Sequence, residues 1–194
     1  MRLFNNFKKK SLFNKGFKLF NQGKYQEALN CCDKILEMDP EYVKAWHSKG
    51  GVFARLGEYQ KALECYDKAL ELDPKYVDVW YNKGVAHWNR WKYREASNCF
   101  DKAIELDPKF VLAWTNKGNA LRKLDKYQEA LECFNKALKL DSKNFTVWSD
   151  KGVTLIKLGK YSEALKCFNK ALEINPDYNP AMRHREDLVL QGHE

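Results

Sequence analysis

Thiols are the most reactive side chains in this sequence. Five of its six cysteines, Cys31, Cys65, Cys99, Cys133 and Cys167, recur every 34 residues, with Cys32 beside the first. Such groups could form disulfides, bind zinc or act as nucleophiles, and their spacing decides between these. Equivalent atoms in stacked helical modules lie roughly 9–10 Å apart, whereas a disulfide needs Cα atoms within about 7 Å. Cys31 and Cys32 are adjacent and therefore project in different directions from a helix. No Cys-x-x-Cys pair or clustered His/Cys set offers zinc ligands. The thiols read as reduced, small apolar residues, which favours a cytoplasmic setting.

The histidines His47, His87, His184 and His193 are scattered. His87 shares a 34-residue column with Phe53 and Leu121, so it reads as a tolerated, half-buried core residue. No metalloprotease helix, nucleophile elbow or dinucleotide glycine motif is present. The run from Gly152 to Lys160-Tyr161 has the wrong spacing for a phosphate loop. Asn144-Phe145-Thr146 is a glycosylation sequon, read as a chance match because no secretory signal accompanies it. The expectation is a protein without catalysis, metal or cofactor.

The 194 residues are 44% hydrophobic and 31% charged, a soluble globular composition with no apolar run near the length of a membrane span. Arg2, Lys8, Lys9, Lys10, Lys15, Lys18 and Lys24 all precede the first acidic residue, Glu27, and account for nearly all of the formal net charge of +8. The rest is almost balanced, which argues against a nucleic-acid channel along its length.

The cysteine period is shared by other columns. Gly16, Gly50, Gly84, Gly118 and Gly152 follow it, as do Trp46, Trp80, Trp114 and Trp148, the alanines from Ala28 to Ala164, and Pro40, Pro74, Pro108 and Pro176, with Ser142 in the missing slot. Apolar spacing predicts a helix over Val43–Leu56 and another over Tyr59–Leu72, separated by Gly57 and closed by Asp73-Pro74. The small columns let helix axes approach, and large rings such as Tyr66 fill the space around them.

This pattern resembles the tetratricopeptide repeat family over residues 9–178, as five repeats: 9–42, 43–76, 77–110, 111–144 and 145–178. The resemblance implies an all-α, right-handed superhelical solenoid of helix-turn-helix repeats. First helices would line a concave groove that holds a protein or peptide partner. Residues 1–8 read as a basic extension, and 179–194 as a C-terminal capping helix. The first repeat departs from the pattern, with Leu12 in place of tryptophan and Cys32 in place of the later aromatic. Terminal repeats are often atypical because one face lacks a neighbour.

Helical spacing then names groove residues: His47, Tyr81, Asn82, Trp88, Asn116, Asn119 and Arg122. The Asn82 and Asn116 amides can hold a peptide backbone, or simply bond the adjacent repeat. Trp88 and Trp91 stand outside the repeat pattern, Trp91 in the slot that Gly57 and Gly159 occupy. The family's carboxylate clamp is not expected. The column for its first lysine reads Phe13, His47, Tyr81, Thr115, Ser149, and the arginine column holds no basic residue. The column Lys15, Lys49, Lys83, Lys117, Lys151 reads as a solvated ridge with buried stems.

Phe13, Phe17 and Phe20 form a stripe on the first repeat. Three readings of it stay open: a leading segment folded back as a cap, a homodimer contact, or a basic aromatic surface for a membrane or acidic partner. The function expected is an interaction scaffold, the alternative an RNA- or membrane-surface adaptor using this N-terminus, with neither nucleic acid nor membrane the expected partner.

Overall fold

The computed structural model describes residues 2–192, with side chains from Phe7 onward. Met1, His193, Glu194 and the side chains of Leu3 and Phe4 lie outside the described residues. All regular structure among them is helical: α1 (Arg2–Asn21), α2 (Tyr25–Met38), α3 (Val43–Arg55), α4 (Tyr59–Leu72), α5 (Val77–Asn89), α6 (Tyr93–Leu106), α7 (Val111–Lys123), α8 (Tyr127–Leu140), α9 (Phe145–Lys157), α10 (Tyr161–Ile174) and α11 (Asn179–Leu190). The chain forms two compact units, residues 1–92 with α1–α5 and residues 93–194 with α6–α11.

The turns follow from residue type. Between the helices of each pair one residue is left-handed: Gly23, Gly57 and Gly159 have φ of 75°, 78° and 71°. Trp91 (62°) and Asp125 (59°) take the same slot, and the bulky Trp91 is there at a steric cost that glycine avoids. At the other turn an Asp or Asn side chain accepts from the backbone N–H two residues on. The pairs are Asp73–Lys75 and Asp107–Lys109 (both 3.0 Å), Asp141–Lys143 and Asn175–Asp177 (both 3.2 Å). These Asx turns stop the second helices, and after Asp73, Asp107 and Asn175 a proline also forbids continuation, whereas after Asp141 the turn does so with Ser142.

Packing explains the glycine column. A methyl group on Gly50 would come within 2.5 Å of the Tyr66 ring, one on Gly118 within 2.7 Å of Phe134, and one on Gly152 within 2.6 Å of Phe168. The rings lie directly on the glycine backbone and are almost wholly buried. In the first unit Tyr66, Ala62, Ala69 and Val79 share one core cluster. In the second, Phe134, Ala130, Ala137 and Val147 form another, and α11 adds Ala181 and Leu188 to the cluster around Phe168. On α11 Leu188 is buried and Val189 is exposed.

Two sequence expectations are revised. The lysine column is not a free ridge. Lys49 pairs with Asp33 (2.7 Å), Lys83 with Asp67 (2.6 Å) and Lys117 with Asp101, while each ammonium also sits over the tryptophan three residues earlier. Each indole in turn donates Nε1–H to a carbonyl of the preceding turn: Trp46 to Pro40 (2.8 Å), Trp80 to Pro74 (2.8 Å), Trp114 to Pro108 (3.0 Å) and Trp148 to Ser142 (2.9 Å). Tryptophan, lysine and aspartate thus make one clip. Secondly, residues 2–8 continue α1 without a break, so the leading segment does not fold back as a cap.

Candidate functional site

The first helices carry most of the predicted groove residues, and the two units use them differently. In the first unit, α3 supplies His47 and α5 supplies Tyr81, Asn82 and Trp88. Asn82 Nδ2 lies 2.8 Å from His47 Nε2, bridging consecutive first helices. The imidazole packs against Tyr76 (5.1 Å between centroids) and Tyr66 (6.1 Å). Burial pushes its pKa below the ordinary histidine value, with Asp78 opposing weakly, so the ring is neutral at pH 7. A neutral imidazole accepting from an amide fixes the Asn82 side chain in place. Tyr81 and Trp88 are half-buried.

Between α3 and α5 lies an open depression of about 510 Å³. Gly51, Arg55, Asn82, Val85 and Asn89 line it, with the Tyr66 ring at its floor. Gly51 matters here, because nothing lies within 4 Å of where its Cβ would be.

In the second unit, Asn116, Asn119 and Arg122 project from α7. Arg122 Nη2 donates to Asn119 Oδ1 (2.8 Å), and Asn119 Nδ2 donates to Asp150 Oδ2 on α9 (3.0 Å). Arg122 is also 3.5 Å from Asp150 Oδ1. Burial raises the Asp150 pKa, opposed by the Asn119 hydrogen bond and by Arg122. The carboxylate is thus held by two donors that the sequence had marked for a ligand. Thr115 and Ser149, which helical spacing puts on the same face, are buried.

Asp150 and the His47–Asn82 pairing are what sequence reasoning missed. Their signal was visible only as polar residues in two adjacent columns, His47 in one and Asn82 and Asp150 in the next, and the partner of each depends on side-chain reach across a helix contact. Trp91 is 77% exposed, whereas Trp88 is not an exposed aromatic.

The cysteines are all free and buried. Burial pushes the thiol pKa up to about 12 at Cys32 and about 11 at Cys65 and Cys133, the reverse of what a nucleophile or metal ligand needs. Among the described residues no three His, Cys, Asp or Glu side chains converge as a metal site requires, and no helix is long and apolar enough to cross a membrane.

Three tetratricopeptide repeat models match the chain. One matches residues 10–42, 77–110, 111–144 and 145–178, and the others residues 50–90 and 31–64. The chain belongs to the tetratricopeptide repeat family. No curated protein matches it. Among solved structures the chain is similar to YrrB, described as "a TPR protein with an unusual peptide-binding site", at 24% identity over 90% of each chain and TM-score 0.79. It is also similar to MamA residues 41-end from Desulfovibrio magneticus RS-1, at 22% identity over 88% of this chain and 97% of that one, TM-score 0.82. A crystal structure of MamA gives 22% identity, 87% and 92% coverage and TM-score 0.79. At these identities the likeness is one of fold: an all-helical tandem-repeat solenoid.

Proposed function

We propose that this tetratricopeptide repeat protein is a non-catalytic scaffold that binds a peptide or protein segment on its first-helix face. The observation that carries the reading is the depression between α3 and α5. It pairs an oriented amide, Asn82, with open space beside Gly51 and the guanidinium of Arg55. An extended peptide offers a backbone donor and acceptor at each residue, and a fixed amide meets both. YrrB, of the same fold, is described as having a peptide-binding site, which supports a peptide as the ligand class.

In the first unit the contacts assigned to ligand are His47, Tyr81, Asn82 and Trp88. In the second they are Asn116, Asn119 and Arg122, where a partner would share the Asp150 network. Residues 9–178 act as five repeats on this reading, with α11 as the terminal cap and a cytoplasmic setting.

The RNA- or membrane-adaptor alternative draws less support. Phe13, Phe17 and Phe20 share one side of α1, but over the helix as a whole lysines and apolar residues are not sorted into a basic and an apolar face, as an interfacial helix requires.

A peptide-array screen followed by calorimetry tests the proposal. Trp88→Ala and Asn82→Ala are expected to weaken a selected peptide at least tenfold while circular dichroism and the unfolding midpoint stay near wild type. Unchanged affinity in both variants overturns it.

A further inference from the structure

The large buried ring that seals each later repeat is missing from the first. Tyr66, Phe134 and Phe168 lie on Gly50, Gly118 and Gly152; one period earlier the ring's column holds Cys32, and the side chain nearest a methyl group on Gly16 would be Cys31, at 3.1 Å. A thiol is several carbon atoms smaller than a phenyl group. The space is not filled by collapse: a cavity of about 220 Å³ remains between α1, α2 and α3, walled by Phe13, Gly16, Phe17, Cys32 and Gly51, with Ser48 at its edge. An apolar cavity of about 150 Å³ is known to accept benzene, so this one has room for a phenyl ring.

Two observations say what occupies it. The fold itself supplies the template, because in the other repeats the equivalent place holds an aromatic ring against a bare glycine. The surroundings supply the charge. Lys10 lies three and seven residues before the lining Phe13 and Phe17, on their face of α1, and is exposed. Among the described residues no carboxylate lies within ion-pair distance of it, whereas Lys9 is taken by Asp39 (2.6 Å). Phe17 is 64% exposed at the mouth, offering an edge for ring-on-ring contact.

We propose that this cavity is an anchor pocket for an aromatic side chain carried by an acidic segment of a partner protein. The proposal rests on the scaffold reading and adds to it the partner's chemistry and the point where the partner is gripped. Phe13, Phe17 and Phe20, for which a homodimer contact was one of three readings from the sequence, become walls of that pocket. The ring replaces the missing intramolecular one, and Lys10 attracts the flanking carboxylates, so the affinity falls with salt.

The test uses a fluorescein-labelled dodecapeptide of Asp and Glu with one central Phe, and the same peptide with Ala at that position. Wild type is expected to bind the Phe peptide at least tenfold more tightly than the Ala peptide. Cys32→Phe restores the ring of the later repeats. It should raise the unfolding midpoint and abolish the discrimination. Ser48→Leu, which lines this pocket and not the α3–α5 depression, narrows it without touching Cys32 and should abolish the discrimination if Cys32→Phe does not fold.

Equal binding of the two peptides by wild type overturns the proposal, as does discrimination that survives in the variants. So does a wild-type dimer in sedimentation that dissociates in Cys32→Phe, which assigns the pocket to a second copy. A Phe preference that vanishes in Cys32→Phe but is untouched by Trp88→Ala separates this pocket from the α3–α5 site. Loss of the pocket proposal with a Trp88-dependent peptide still bound leaves the scaffold reading standing.

Discussion

The fourth repeat and the first share a backbone plan and differ in what covers the glycine. At Gly118 the Phe134 ring closes the interior to nothing larger than a contact distance; at Gly16 a thiol leaves room for a guest. One side-chain difference in a repeated frame therefore separates a sealed module from an open one. The lesson is that in tandem repeats the departures from the shared pattern, more than the pattern, point to where binding can occur.

Phe134→Cys copies the first repeat into the fourth, and it should have the largest effect. Removal of most of a fully buried ring is expected to cost about 4 kcal/mol, read as a lower urea midpoint, and to create a hydrophobic dye-binding cavity. A loss under about 1 kcal/mol would mean that the ring is not what closes the module.

Gly118→Ala against Gly16→Ala sharpens the same contrast. The new methyl meets Phe134 at 2.7 Å in the fourth repeat but stands 3.1 Å from Cys31 Cβ in the first. Overpacking should cost about 2 kcal/mol at Gly118, while at Gly16 the helix propensity gained by alanine offsets most of the milder crowding. Denaturant melts of the two variants, run side by side, check the inequality.

Trp91→Gly acts in the opposite direction. Glycine removes the left-handed penalty, so a gain of about 1 kcal/mol is expected, read as a higher melting temperature. No gain would show that the exposed indole makes compensating contacts.

The smallest effect is titration of His47. Its folded pKa is depressed, so the unfolded chain takes up a proton first as pH falls through the ordinary histidine value near 6.5. Stability is then highest above that value and declines below it, until the folded pKa is reached. His47→Gln, which can still bond Asn82, should flatten this part of the pH profile; an unaltered slope would exonerate the imidazole.

The fold was legible because its determinants repeat. Small residues at Gly50 and Ala62 and the Asp73-Pro74 stop predicted α3 and α4 to within one residue at Leu56. Legibility failed where geometry, not type, decides. Cys32 could be seen to break the aromatic column, but not whether Phe13 and Phe17 would swing in to close the gap. Asn119 and Arg122 were readable as polar and inward, yet the side chain that engages them, Asp150, sits a full repeat away. The leading residues 2–8 carry no proline or glycine, which is why α1 runs on through them. The lysine column misled for a related reason: its aspartate partners lie in a neighbouring helix, sixteen residues earlier in the chain.

The indole clips have a practical consequence. Trp46, Trp80, Trp114 and Trp148 each tie one first helix to the turn before it, so each is an optical gauge of its own joint. Keeping one native tryptophan and replacing the others by phenylalanine would let emission wavelength follow the loosening of that joint alone, and report whether the stack comes apart from one end or all at once.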